Sequence, residues 1–269
     1  MTLTGGGVFD MALYGGFEGA QDTTLVLASG TIRGAASVSV GALTIGAAGL
    51  MVNDTAHDLV LSAGPSMVND GTIEASGAGL VLIDSPLVND GTLSVQAGVM
   101  EAITAVSGDG VVTIGGGTLD LGGAFDQAVT FTGGGALDLA QSRMFTHSVT
   151  GFSTRARTTL DLEDIRFVDA GEATFSGTAS GGVLTVTDGA HTAHITLKGD
   201  YRGVTFVATK DGHGGTDVVA RKAEPFAAPV DAFISAMAGL ASPGGQALDM
   251  PVAGLGREFL LAAGRAALA

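Results

Sequence analysis

The sequence predicts an all-β chain: a right-handed parallel β-solenoid, a β-rich C-terminal extension and a partly helical tail. Three observations predict it. The heptapeptide MVNDGTI (67–73) returns twenty positions later as LVNDGTL (87–93), with a partial copy, MVNDT, at 51–55. Apolar and polar residues alternate within each copy, which is the period of a strand. Glycine occupies 44 of 269 positions, more than twice its ordinary share of about 7%, as closely spaced turns would require.

The opening residues, MTLTGGGVFDMALYGG, lack the basic and continuous apolar regions of a secretion leader. Ala35–Asn53 is uncharged but alternates (SVSVGALTIG), so it reads as strand and not as a membrane span. Then come the repeats, MVNDGTIEASGAGLVLIDSP (67–86) and LVNDGTLSVQAGVMEAITAV (87–106), followed by GGGTLDL (115–121) and GGGALDL (133–139), offset by 18. Periods near 20 mark a stacked architecture in which each unit buries its apolar face against its neighbours. Alternation points Ile73, Ala75, Ile114, Leu119, Leu121, Val129, Phe131, Leu137 and Leu139 inward, and Thr72, Glu74, Thr118, Asp120 and Asp138 outward. Stacking is expected to set Asn53, Asn69 and Asn89 above one another as an amide ladder, with Asn and Gly supplying left-handed turn geometry. The MVNDT copy, 16 residues ahead of the next, implies a shorter rung.

Residues 1–147 therefore form the repeat solenoid. Over 148–222 the spelling changes, but alternation persists, with Leu184, Val186, Ile195 and Leu197 on one side. This stretch is either a continuation of the stack or a small sandwich or roll. Residues 223–269 are rich in Ala, Gly and Pro. There Val230, Phe233, Ile234 and Met237 share a helical face that suits a cap, a partner-binding helix or an export signal.

Composition removes several function classes. The chain has no cysteine, so it has no disulfide framework, thiolate metal site or Cys nucleophile. A net charge of −15 repels phosphate backbones and anionic membranes, so nucleic acid is not an expected partner. No membrane-spanning segment is read. GHGGTDVVA (212–220) approaches a calcium nonapeptide with Asp217 in the ligand place, and LDLEDI supplies Asp161, Glu163 and Asp164 as further oxygen ligands. Calcium is a candidate ligand at these residues, and no cofactor is required. His191 and His194 are three apart, which on a strand sends them to opposite faces.

The VNDGT repeats, the GGGTLDL rungs and the block VTGFSTRARTTLDLEDIRF…TDVV resemble the C-terminal region of proteobacterial β-strand-repeat secreted proteins, autotransporter-passenger-like and RTX-type adhesins, over roughly residues 40–222. The resemblance implies a parallel β-helix, export to the cell surface or medium, and roles in adhesion, biofilm matrix or surface layers. It also implies that residues 223–269 are similar to an uncleaved type I export signal. A membrane-barrel translocator and tandem calcium nonapeptides, both common in such proteins, are not found in the sequence.

The expected function is a non-catalytic, secreted or cell-surface structural or adhesin module. Its partners would be other copies of itself or cell-surface and glycan ligands. One alternative is a self-assembling filament or surface-layer subunit, stacking through its solenoid ends. The other is a carbohydrate-active β-helix enzyme, a polysaccharide lyase or hydrolase, which needs an outward groove where acids and an arginine converge; Arg155, Arg157 and Arg166 lie beside Asp161, Glu163 and Asp164 in the sequence.

Overall fold

The computed structural model describes residues 1–222, apart from the side chains of residues 12–14 and 66. The proposed helical face at Val230, Phe233, Ile234 and Met237 lies outside the described residues. In chain order the strands are β1 (Thr2–Leu3), β2 (Val8–Glu18), β3 (Thr24–Asn53), β4 (Leu59–Asn69), β5 (Thr72–Ala75), β6 (Leu80–Ile83), β7 (Leu87–Asn89), β8 (Thr92–Val95), β9 (Val99–Ala102), β10 (Val106–Ser107), β11 (Val111–Ile114), β12 (Thr118–Leu121), β13 (Val129–Phe131), β14 (Gly135–Leu139), β15 (Ser148–Thr150), β16 (Thr158–Leu162), β17 (Ala173–Thr178), β18 (Gly181–Thr187), β19 (Thr192–Lys198), β20 (Val204–Lys210) and β21 (Thr216–Lys222).

These strands stack as a parallel β-solenoid of about seven turns. Three ladders carry it. The first runs from the end of β3 through β5, β8, β11 and β13 to β15. The second runs through β2, β3, β4, β6, β9, β12, β14 and β16. The third runs through β1, β3, β4, β7 and β10. Every pairing in these ladders is parallel, so like positions of successive turns lie about 4.8 Å apart.

The alternation read from the sequence holds: Ile73, Ala75, Ile114, Leu119, Leu121, Val129, Phe131, Leu137 and Leu139 are all buried in one continuous core. Each such Leu or Ile contributes about 1.5–3 kcal/mol of transfer free energy. The 18-residue offset is a true rung, since Leu119 pairs with Leu137 and Asp120 with Asp138. Ahead of these strands Gly98, Gly117 and Gly135 all have positive φ (62°, 94° and 121°). They turn the chain by the same left-handed step in three successive rungs, which side chains with a Cβ resist.

Two expectations about the VNDGT turns need correction. Asn53 is not part of the amide ladder. It pairs with Ala75 on the first ladder, whereas Asn69 pairs with Asn89 on the third. The 16-residue offset is therefore a step to another face of the solenoid and not a short rung. Asn53 instead donates to the carbonyls of His57 and Leu80 (2.8 and 3.0 Å). The ladder proper is Asn69 to Asn89 (2.6 Å), then Asn89 to Oε1 of Gln127 (2.9 Å), all three fully buried or nearly so. The second correction concerns glycine. Neither Asn69, Asn89, Gly71 nor Gly91 has a positive φ. A Cβ on Gly91 would instead run into the carbonyl oxygen of Gly71 in the rung beside it. Close approach of the turns demands glycine here, not handedness.

Within residues 148–222 the pairing changes from parallel to antiparallel. β15 and β16 continue the parallel stack beyond residue 147. β19 then adds to β15 in parallel and carries β18 and β17 antiparallel, while β21 lies antiparallel on β16 and carries β20. Phe152, Phe175, Tyr201 and Phe206 pack at 5.6–6.2 Å between ring centroids beneath this cap.

The amide ladder generates a prediction. Asn89→Ala leaves a buried donor on Asn69 and a buried acceptor on Gln127 without partners. It should lower stability by about 1–3 kcal/mol in urea unfolding, whereas Asn89→Asp at neutral pH should be worse because it buries a charge.

Candidate functional site

The most unusual chemistry lies on the outward side of the second ladder. Register sets Glu101 of β9 beside Asp120 of β12, Asp120 beside Asp138 of β14, Asp138 beside Asp161 of β16, and Asp161 beside Asp217 of β21. Five carboxylates thus stand in one column on adjacent strands. The residues flanking each acid are buried (Met100 and Ala102, Leu119 and Leu121, Leu137 and Leu139, Leu160 and Leu162, Thr216 and Val218), so the column is anchored by the same alternation that builds the core.

The carboxyls respond as a crowded, half-buried row should. Burial, and then the charges of Asp161, Asp120, Asp217 and Glu163, push Asp138 up to about 7. Burial, with Asp217, Asp211 and Glu163, pushes Asp161 up to about 7. Burial raises Glu101, Asp120, Glu163 and Asp217 in the same direction, helped in Glu101 by Asp120 and in Asp217 by Asp211. One oxygen of Asp161, Oδ1, is buried with no hydrogen-bond partner.

The flanking acids behave differently because they have partners. Burial acts to raise Asp164, but hydrogen bonds from Ser142 and Arg143 outweigh it and hold the carboxyl below its usual range. Asp211 accepts from the backbone N–H groups of His213, Gly214 and Gly215 (2.7, 2.8 and 2.9 Å). These lower it against the opposing effect of burial. Asp211 therefore fixes the turn between β20 and β21, in which Gly212 and Gly214 have positive φ.

Of the four calcium candidates, the structure brings Asp161 and Asp217 together as register partners. Glu163 lies just past the end of β16 and is exposed, and Asp164 is engaged by Arg143 (2.9 Å). The glycines of GHGGTDVVA serve an antiparallel hairpin, not the parallel turn of a calcium roll. Among the described residues, no group of three or more His, Asp or Glu side chains is arranged to hold a metal ion.

The arginines do not converge. Arg155 and Arg157 are exposed, and Arg157 sits in a turn with φ 52°. Arg166 alone joins Glu163, Asp164, Asp188 and His191 around an open depression of about 320 Å³. Two of its acids are already paired, Asp164 with Arg143 and Asp188 with His191 (3.0 Å). A larger depression of about 450 Å³ low on the second ladder is lined by Glu18, His57, Asp58 and Val60. His191 and His194 do not share partners: His191 meets Asp188 and His194 meets Thr185.

No family model matches the chain, and no curated protein matches it. Among the described residues no helix is long and apolar enough to cross a membrane.

The sequence reading singled out Asp161 and Asp217 but assigned Asp120 and Asp138 only an outward direction. The signal for the column was present. LDL occurs at 119–121, 137–139 and 160–162, each time with the aspartate between two buried leucines.

The column fixes the sign of the pH dependence. A carboxyl whose folded value lies above its unfolded value binds protons better in the folded chain, so stability falls as pH rises from about 4 through about 7. The melting temperature should drop by at least about 3 °C between pH 5.5 and pH 8.5, the equivalent of roughly 1 kcal/mol for a chain of this size. Asp138→Asn should flatten that drop and stabilise the protein at pH 8.5 in a thermal scan. A rise with pH would show the column to be better solvated than its burial implies.

Proposed function

We propose that the chain is a non-catalytic structural or adhesin module of the cell surface or extracellular space, presenting a stiff, repetitive surface. The observation that supports this reading is the parallel stack, continuous in register from β5 onward. Three ladders repeat the same outward columns turn after turn, and chemistry is distributed along them, not gathered at one point. The likeness of the repeats to β-strand-repeat secreted proteins supports the surface location, and other copies or glycans are the proposed partners.

The filament alternative has less support. Its contact requires an open upper rung, and β15 and β16 are already covered by β19 and β21. The polysaccharide-enzyme alternative keeps one support, Arg166 meeting Glu163 and Asp164 at an open depression, although Asp164 is already paired with Arg143 there. Calcium enters this proposal as a countercharge for the carboxylate column, bound between strands and not in a closed cage.

Two measurements test the reading. Negative-stain electron microscopy with light scattering should find single short rods at all concentrations, and rods that lengthen with concentration would favour the filament. Millimolar calcium should raise the melting temperature at pH 8.5, where the column is ionised, and much less at pH 5.5. An equal rise in Asp161→Asn/Asp217→Asn would place any calcium elsewhere.

A further inference from the structure

The outward side of the first ladder differs from the second in kind. Its strands read T-x-E (β5), T-x-S (β8), V-x-T (β11), A-x-T (β13, counted from Ala128) and S-x-T (β15). Register aligns them into two columns. In one, Thr72 sits beside Thr92 and Thr92 beside Val111, with Ser148 further on. In the other, Ser94 sits beside Thr113, Thr113 beside Thr130, and Thr130 beside Thr150. The intervening residues, among them Ile73, Leu93, Val112 and Val149, are buried, so the threonines and Ser148 face away from the core, whereas Ser94 is itself buried.

Three properties of this array bear on its use. It is uncharged from β8 to β15; Glu74 bounds it below and Lys198, beside Thr150, above. It has no outward aromatic ring, since Phe131 points inward. Ser94 accepts from Gln96 (2.9 Å), but Thr72, Thr92, Thr113, Thr130, Ser148 and Thr150 make no side-chain hydrogen bond among the described residues. A parallel stack fixes Thr113, Thr130 and Thr150 about 4.8 Å apart on successive strands, with Ser148 about 6.6 Å from Thr150 along its strand, while Val111 and Ala128 interrupt the other column. The β-branch holds each threonine to few rotamers.

A lone hydroxyl that exchanges water for a sugar hydroxyl gains little, because one hydrogen bond replaces another. Without rings to stack on a pyranose face, this surface has little with which to grip a glycan. A rigid periodic array does have one capacity that isolated hydroxyls lack. It holds neighbouring water molecules at a fixed repeat, and that repeat is close to the oxygen spacings of the ice lattice. We infer that the threonine–serine face of the first ladder binds ice, its ordered water layer merging with the crystal surface.

The experiment is slow growth of ice from a solution of the folded protein at neutral pH, with the protein assayed in the ice and in the remaining liquid. Wild type should be enriched in the ice. Thr113→Lys/Thr130→Lys, which places two long cations at the centre of the array, should lose most of that enrichment while keeping its circular dichroism spectrum. Thr118→Lys, on the second ladder beside the carboxylate column, should keep it. Exclusion of folded wild type from ice would overturn the inference, as would equal enrichment of the double variant. Exclusion from ice together with retention on insoluble cellulose or chitin, lost in the double variant, would assign the face to glycan instead. None of these outcomes bears on whether the chain is a monomeric rod, so the two proposals fail separately.

Discussion

Parallel register is the constraint on which the remaining structure depends. Each turn is too thin to hide its own apolar residues, and it does so only by placing them against the same positions of the turns above and below. Once Leu119, Leu137 and Leu160 are stacked, nothing is left to choose about their neighbours. Whatever residue lies between two inward leucines is stacked as well, on the outside, at the spacing of strands.

Like groups brought together in this way have opposite consequences inside and out. Inside, Asn69, Asn89 and Gln127 gain from repetition, because an amide donates at one end and accepts at the other and so chains indefinitely. Outside, Asp120, Asp138 and Asp161 are opposed by it, because an ionised carboxylate only accepts. The same register yields a hydrogen-bonded rail in one place and a row of mutually repelling acids in another. On the first ladder, hydroxyls are neutral to this effect and simply form a pattern. One inward rail and two outward faces built by one rule thus have three distinct chemistries.

Much of this was legible in the sequence, and the limits are instructive. Alternation identified the core residues because burial of alternate positions is a local property. The 18-residue offset identified a rung because GGGTLDL and GGGALDL agree at the corner and in the strand alike. Asn53 was misplaced because MVND is a strand-and-turn spelling that the chain uses at two different corners. Its sequence says how the backbone bends, not which face it has reached. The acid column was half visible: LDL recurs three times, but its closing member, Asp217, arrives on an antiparallel strand from 56 residues beyond Asp161. No local period reveals that pairing.

The reversal of direction at β21 has a mechanical consequence. A parallel rung held in the body of the stack is bonded on both sides and is gripped by core residues from two turns. β21 ends at Lys222, which pairs with Val204 at the beginning of β20. Tension applied at Lys222 would load the outermost pair of that strand first and then the next, as in opening a zipper, before any rung of the solenoid bears the force. The pairings of residues 220–222, made with β20 alone, are thus the first that such a load would open, ahead of the stretch of β21 that β16 also holds.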